Sequence, residues 1–250
     1  MYLSSLLIDT GGNPDRPRPG RQWLRNVYHV HQRLCMAFPS KSREDDDKHF
    51  LKPYDPEDFG NGQVHVERKP DSGFLFRIDP GPNGRAAILV QSAIKPNWDY
   101  AFHNAKYLLA AAPEWRTFES DFTKGQRFRF RLVASPTKKV ETKSGPDGKR
   151  QNGRRVLVPD FFDWLIRKSD GSGFSIEMDS IAIQPGYAYF KKPNQNDQQS
   201  RLRFVRYDGI LSVNEPARFW ETITRGIGSG KAFGFGLLSV APYRQRQNES

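Results

Sequence analysis

Hydrophobic residues follow two spacings along the chain, and the alternation between the spacings predicts the secondary structure. Residues 2–8 form a short apolar run that ends at a turn, which is typical of a strand. After Asn26, apolar residues recur at the spacing of a helix with one buried face. These residues are Val27, Val30, Leu34 and Phe38. We therefore predict a helix over 27–38 that Asn26 caps and Pro39 ends.

The rest of the chain continues this mixture of strands and helices. Two apolar runs joined by a Pro- and Gly-rich stretch predict a hairpin of strands over 73–78 and 86–94. A short helix or an irregular segment is expected over 98–112. Strict alternation predicts a half-buried strand over 127–134. The later predicted elements are a first strand of the second half over 154–158, a helix over 160–168, strands over 175–190 and 202–213, a hairpin-type turn at Asp208-Gly209, a helix over 216–224 and a strand over 237–240.

This order of elements matches the βαββαβ arrangement twice. We predict an α+β protein of two tandem ferredoxin-like domains with antiparallel sheets, the skeleton that RNA-recognition domains also use. The predicted N-terminal domain is 1–140, with a polar insertion at about 40–72. The predicted C-terminal domain is 141–250, which carries a basic loop and a glycine-rich loop.

The net charge of the chain indicates which class of molecule it binds. The 250 residues carry a net charge of +11, which indicates an anionic partner, nucleic acid first and a membrane surface second. No segment approaches the ~20 apolar residues of a membrane span. The opening residues lack the features of a signal peptide. The single cysteine, Cys35, excludes an intrachain disulfide and fits a reducing cytoplasm, so we expect a cytoplasmic protein.

Basic residues concentrate in two places. The basic excursion over 135–159 is rich in Gly and Pro, so we expect a flexible loop that adapts its shape to contact the phosphates of a nucleic acid. The alternative is a solvated loop that only keeps the protein soluble. Its basic residues are Lys138, Lys139, Lys143, Lys149, Arg150, Arg154 and Arg155. The strand over 127–134 turns Arg127, Arg129 and Arg131 to one face, and these are second-choice contacts to an RNA backbone.

A glycine-rich segment over 226–242 precedes the last strand. Consecutive exposed N–H groups in such a loop can form a seat for an anion, to which Lys231 adds a full charge. The predicted anion seat is Gly228, Ser229, Gly230 and Lys231. It is not a nucleotide-binding P-loop, because neither Ser nor Thr follows the lysine and the loop leads into a strand. The alternative is a flexible turn before a core strand.

Two side chains on the helix over 27–38 are suited to chemistry. Tyr28 and His31 are three residues apart, so they are neighbours on the helix surface at the edge of the apolar stripe. Histidine suits proton transfer because its ordinary pKa lies near neutrality. The alternative is that both residues only pack. Separately, the acidic stretch over 44–47 is either a solvated loop or a site for a hard cation.

Four motifs in the same order carry a resemblance to a known family. The segments MYLSSLLID, NVYHVHQRLCMAFP, FRFRLVASPTKK and GIGSGKAFGFGLLSVAP resemble the CasE (Cse3) proteins. These are CRISPR repeat-RNA endoribonucleases and subunits of the type I-E Cascade complex. The main departure is the insertion at about 40–72, which is longer than is usual in the family.

The resemblance implies that the protein binds the stem-loop of a CRISPR repeat and cuts once at the base of the stem, without a metal ion or other cofactor. It also implies Cascade subunits as partners, and a basic face between the two domains. The catalytic histidine falls on His31 and the assisting tyrosine on Tyr28. Some relatives carry basic residues where this chain has Gln32 and Met36, so Arg33, Lys231 or the basic excursion must supply that charge.

The expected reaction uses the RNA 2′-OH as nucleophile and leaves a 2′,3′-cyclic phosphate and a 5′-OH, with His31 acting as either acid or base. One alternative is a non-catalytic RNA-binding scaffold subunit of the same kind of complex. Another is a metal-dependent nuclease. Its candidate metal ligands are Asp45, Asp46, Asp47 and His49.

Overall fold

The computed structural model describes residues 1–12, 18–38, 73–140, 154–191 and 199–243. The chain divides into two compact units. The first comprises Met1–Ser120, Ala188–Leu202 and Ala232–Gly234, and the second comprises Asp121–Tyr187, Arg203–Lys231 and Phe235–Ser250.

An antiparallel sheet forms the framework of the first unit. Its strands are β1 (Tyr2–Asp9), β2 (Phe74–Pro80), β3 (Arg85–Ser92) and β4 (Glu114–Thr117), in the order β2-β3-β1-β4. The predicted hairpin is confirmed, because β2 pairs with β3 from Phe74↔Ser92 to Pro80↔Ala86. Along β1, Leu6 and Ile8 are fully buried while Ser5 and Asp9 are exposed, as expected for a strand with one core face.

Three helices accompany this sheet. They are α1 (Pro19–Leu24), α2 (Val27–Cys35) and α3 (Trp98–Ala101), and a 3₁₀ turn follows at Lys106–Leu108. The apolar stripe predicted for α2 is confirmed, since all four of its members are buried. Phe38 lies just beyond the helix and stacks on Phe74 of β2, with the ring centroids 4.8 Å apart. The core of the unit therefore lies between α2 and the sheet.

A second antiparallel sheet organises the later part of the chain. Its strands are β5 (Arg127–Ala134), β8 (Phe174–Ile176), β9 (Ala182–Phe190), β10 (Ser200–Val213) and β11 (Leu238–Pro242). The order is β11-β5-β10-β8, and β9 also pairs with β10. The helices are α4 (Phe161–Asp170) and α5 (Pro216–Arg225). Helices with antiparallel sheets confirm the predicted α+β class of two ferredoxin-like domains.

The two remaining strands form a separate ribbon. β6 (Thr137–Val140) pairs only with β7 (Arg154–Leu157) among the described strands. The prediction that 154–158 begins the second sheet was therefore wrong. β5 holds that place instead, because Phe128, Phe130 and Leu132 give it a buried face. The division into compact units falls at Ser120, before the predicted domain boundary at 140, since β5 pairs with β10 and β11.

The predicted turn at Asp208-Gly209 was also wrong. β10 passes straight through these residues, and Gly209 lies opposite Phe130 of β5. The strand is closely packed here, because a Cβ at this position would lie 2.8 Å from Ile181 Cδ1 and 3.1 Å from Phe130 Cε1, so the end of the Ile181 side chain would have to shift. The dipeptide pattern indicates a turn, but tertiary packing decides the conformation. None of the described helices combines the length and the apolar composition of a membrane span.

Candidate active site

Helix α2 begins at a side-chain cap. Asn26 has an extended backbone, and its Oδ1 accepts a hydrogen bond from the Tyr28 N–H at 3.2 Å. The cap fixes where the helix starts, so Tyr28 occupies the first turn and His31 lies on the next. Tyr28 is half-buried, as expected for a residue at the edge of the core.

His31 lies deeper than the helical pattern predicts. Only 7% of the residue is exposed. Its ring lies nearly parallel to that of Phe76, at 18° with the centroids 6.1 Å apart, and the Phe74 ring is 5.5 Å away. On the helix itself, Cys35 Sγ is 3.6 Å from His31 Nε2. The imidazole therefore occupies an aromatic slot between α2 and β2.

Part of the glycine-rich segment packs against the same slot. Gly234 belongs to the first unit, where a Cβ on it would lie 3.1 Å from Phe76 Cε2. Its φ is +81°, a conformation that favours glycine. Phe76 is the ring that stacks on His31. Gly234 therefore packs against the Phe76 ring, which in turn stacks on the His31 imidazole.

The predicted anion seat lies in the second unit. Gly228 and Gly230 have φ of +84° and +80°, so the chain winds through conformations that other residues rarely adopt. Ser229 pairs with Ser135, and its hydroxyl is 3.2 Å from the Thr137 hydroxyl at the start of β6. The seat is therefore attached to the base of the basic ribbon.

Lys231 is the last residue of the seat, and it is exposed. Desolvation, and to a lesser degree the charge of Arg225, lower the pKa of Lys231. Both effects disfavour its charged form, and a bound phosphate would offset both.

The ribbon carries cations on both strands. Lys138 and Lys139 of β6 and Arg155 of β7 are exposed, and we call these three residues the hairpin cations. Lys139 lies directly opposite Arg155, a like-charge pairing that is unfavourable without an anion nearby. Arg154 is on β7, but its side chain is outside the described part of the structure. Lys143, Lys149 and Arg150 lie outside the described residues altogether.

The arginines of β5 differ in their surroundings. Arg127 donates two hydrogen bonds of 2.6 Å to Glu177, which raise the pKa of the arginine. Arg131 donates one of 2.6 Å to Asp208. Arg129 is exposed, and its guanidinium carbon lies 5.8 Å from the centre of the Tyr243 ring. The predicted arginine face is present, but carboxylates compensate part of its charge.

Arg33 is held by the last residue of α3 and by the loop that follows. Its Nη1 donates to the Ala101 carbonyl at 3.0 Å and to Asn104 Oδ1 at 2.8 Å. These contacts tie the later part of α2 to that loop, so the structure gives Arg33 a packing role whatever else it contacts.

Lys191 is a site candidate that the sequence pattern does not reveal. The Asn26 side chain that caps α2 also accepts from the Lys191 N–H and donates to the Lys191 carbonyl, both at 3.2 Å. The exposed Lys191 is therefore anchored at the start of the Tyr28/His31 helix. Local spacing indicates only a polar loop here, because the two residues are 165 positions apart.

Among the described residues there is no cluster of His, Cys, Asp or Glu that could hold a metal ion. The acidic candidates, Asp45, Asp46, Asp47 and His49, lie outside the described ranges.

Comparison with known proteins decides the family. The family model described as "CRISPR associated protein" matches residues 1–242. The chain belongs to this family.

Its relatives agree with the resemblance that the motifs indicate. The CRISPR-associated endoribonuclease Cse3 of Thermus thermophilus is 25% identical over 254 residues, covering 97% of this chain and 100% of the relative. The CRISPR system Cascade subunit CasE of Escherichia coli is 26% identical over 247 residues, with the same coverage. A solved structure of CRISPR endoribonuclease Cse3 bound to 19 nt RNA shares 26% identity at a TM-score of 0.68, covering 97% of this chain and 100% of that one. The predicted membership of the CasE (Cse3) family is confirmed.

Proposed function

We propose that this protein is an endoribonuclease that cuts CRISPR precursor RNA at the base of the repeat stem-loop, without a metal ion. Two curated relatives are named as an endoribonuclease and as a Cascade subunit, and a solved relative is bound to RNA. The observation that carries the proposal is the capped helix α2. It bears Tyr28 and His31 on its first two turns, and its capping residue also holds Lys191.

The reaction needs no nucleophile from the protein. The 2′-OH before the cut loses its proton, its oxygen bonds to phosphorus, and the bond from phosphorus to the 5′-oxygen breaks. The 5′-oxygen then takes up a proton, so the products are a 2′,3′-cyclic phosphate and a 5′-OH. His31 transfers one of these protons, a contribution typically worth about 10²- to 10⁴-fold in rate.

The other groups at the site orient the RNA and stabilise charge. Tyr28 orients the ribose or the scissile phosphate. Lys191 supplies the positive charge that Gln32 and Met36 do not, because its backbone is fixed at the start of α2. In the second unit, the anion seat binds a phosphate of the RNA through its N–H groups and the Lys231 charge.

The burial of His31 bears directly on this mechanism. With 7% of the residue exposed, the imidazole has little surface to offer to RNA. A ring nitrogen that transfers a proton must come within hydrogen-bonding distance of the RNA oxygen. RNA binding must therefore uncover the ring in the active complex.

The RNA stem contacts the basic ribbon. Duplex RNA has a major groove that is too narrow for ordinary side-chain recognition, so contacts to phosphates dominate. The hairpin cations suit this role, and the residues beyond the described part of the ribbon add further positive charge. Arg129 is the preferred contact on β5, because Arg127 and Arg131 are paired with carboxylates.

A second candidate function is a non-catalytic RNA-binding scaffold subunit, and the low exposure of His31 favours it. The two functions are compatible in part, since an enzyme that keeps its cleaved RNA can remain as a subunit of a Cascade complex. We also propose that the protein is cytoplasmic. Its single cysteine cannot form an intrachain disulfide, so its folding does not need an oxidising compartment.

The test uses repeat RNA transcribed from CRISPR arrays of the source genome, incubated with the full-length protein in EDTA. We expect one cut, with a 2′,3′-cyclic phosphate on the upstream product. A single 2′-deoxy substitution before the cut should leave binding intact and abolish cleavage, while the same substitution one nucleotide away should not. Intact RNA in every lane would favour the scaffold, and cleavage only without EDTA would favour the metal nuclease.

A further inference from the structure

Helix α4 packs against the anion seat through one aromatic ring. Trp164 of α4 is buried, with 3% of the residue exposed, and its ring lies nearly parallel to that of Tyr207 on β10. A Cβ on Gly228 would lie 3.3 Å from Trp164 Cζ2 and 3.4 Å from Cη2, so the backbone of the seat lies against the indole. All three residues belong to the second unit. The indole therefore fixes α4 beside the seat.

The same ring is contacted by an exposed lysine of α4. Lys168 lies four residues after Trp164, so the two side chains are neighbours on the helix surface. Its Nζ is 5.9 Å from the centre of the Trp164 ring, within the range of a cation–π contact. Unlike Arg127 and Arg131, Lys168 forms no ion pair with a carboxylate in the described part of the chain. Its positive charge is thus placed near the seat and is not compensated.

The seat itself offers hydrogen-bond donors. Neither the Gly228 nor the Gly230 N–H donates to another described backbone group. Lys231 adds a cation at the end of the seat, and Lys168 adds one from the neighbouring helix. Several donors accompanied by two cations suit an anion with several oxygens, such as a phosphate of the RNA backbone.

We propose that Lys168 is a further RNA-binding residue, which contacts the phosphate that the anion seat binds. The inference rests on the proposed function and deepens it, because it adds to the phosphate site a residue from a different element of the second unit. Trp164 is buried and is not itself offered as an RNA contact.

The alternative is that Lys168 only stabilises the end of its helix. A cation in the last turn interacts favourably with the partial negative charge of a helix C-terminus, and Arg167 shares this position. Arg167 is also exposed, but its Nε donates to the Asp163 carbonyl of the same helix at 3.3 Å. Arg167→Ala therefore matches Lys168→Ala in charge change, helix and exposure.

The affinity test uses full-length protein and the repeat stem-loop RNA with a 2′-deoxy substitution before the cut, over a range of salt concentrations. Lys168→Ala should lower the slope of log affinity against log salt by about 1 and weaken binding roughly fivefold at about 0.15 M salt. Lys168→Arg and Arg167→Ala should keep the wild-type slope. An unchanged slope in Lys168→Ala, or an equal fall in Arg167→Ala, would overturn the assignment.

NMR tests where the phosphate binds. In protein labelled with ¹⁵N-tryptophan, the Trp164 indole signal is identified among those of the five tryptophans by its loss in Trp164→Phe. This signal should shift when the same RNA binds, and an unmoved signal at saturating RNA would overturn the placement beside the indole. Neither measurement requires cleavage, so a failure of the nuclease function is recognised separately, as intact unmodified RNA. Absence of RNA binding by the wild type would refute both proposals.

Discussion

Asn26 makes three described side-chain hydrogen bonds, so replacing it tests how the site is assembled. Its Oδ1 accepts from the N–H groups of Tyr28 and Lys191, and its Nδ2 donates to the Lys191 carbonyl, each at 3.2 Å. Asn26→Ala removes all three bonds. The helix loses its cap, and Lys191 loses its anchor to the helix that bears the proposed catalytic pair.

The expected cost follows from these bonds. Loss of an N-cap costs about 1 kcal/mol. Each of the two bonds to Lys191 is exposed and contributes about 0.5 kcal/mol, the low end of the range for neutral pairs. Asn26→Ala should therefore lower the free energy of unfolding by about 2 kcal/mol. Asn26→Ser keeps a capping oxygen but does not reach Lys191, so it should cost about 1 kcal/mol.

Urea unfolding and single-turnover cleavage, measured on the same preparations, test both consequences. Both Asn26 variants should cut more slowly, because both release Lys191. The matched control is Asn97→Ala, which removes the cap of α3 in the same unit, where Asn97 Oδ1 accepts from the Tyr100 N–H at 3.0 Å. It should lose about 1 kcal/mol of stability with cleavage unchanged. A cleavage rate of Asn26→Ser equal to that of the wild type would refute this account of the site. So would a loss of rate in Asn97→Ala as large as that in Asn26→Ala.

Three further predictions concern the hairpin cations, Gly234 and Lys191. Replacing the hairpin cations together by alanine should weaken repeat RNA binding and lower the slope of log affinity against log salt by roughly 2–3, and an unchanged slope would remove the ribbon from the interface. Gly234→Ala should destabilise the protein and slow cleavage more than Gly125→Ala, since both have positive φ but only Gly234 would press on a ring; equal effects would contradict the packing argument. Lys191→Ala should lower the single-turnover rate by more than it weakens RNA binding, and the reverse would make Lys191 a binding residue only.

Sequence reasoning succeeded where chemistry and spacing are local. The stripe and cap of α2 were predictable because helical periodicity and an Asn before an apolar run are short-range signals. The alternation of Phe128, Phe130 and Leu132 with arginines predicted β5 for the same reason.

It failed where distant segments decide the outcome. The ion pairs of Arg127 and Arg131 depend on Glu177 and Asp208, which reach them only through the pairing of the second sheet. The two hydrogen bonds between Asn26 and Lys191 also join distant segments, so no local sequence pattern predicts them. The burial of His31 depends on Phe74 and Phe76 from a strand far along the chain, and helix spacing alone placed the histidine at the edge of the stripe.

The proposed proton transfer by His31 is tested most directly by His31→Ala, assayed for affinity and single-turnover cleavage on one repeat stem-loop in EDTA. We predict an affinity within about threefold of the wild type, because the contacts to phosphates remain. Cleavage should be about 10²- to 10⁴-fold slower. Cleavage by the variant at a rate close to that of the wild type would contradict the account.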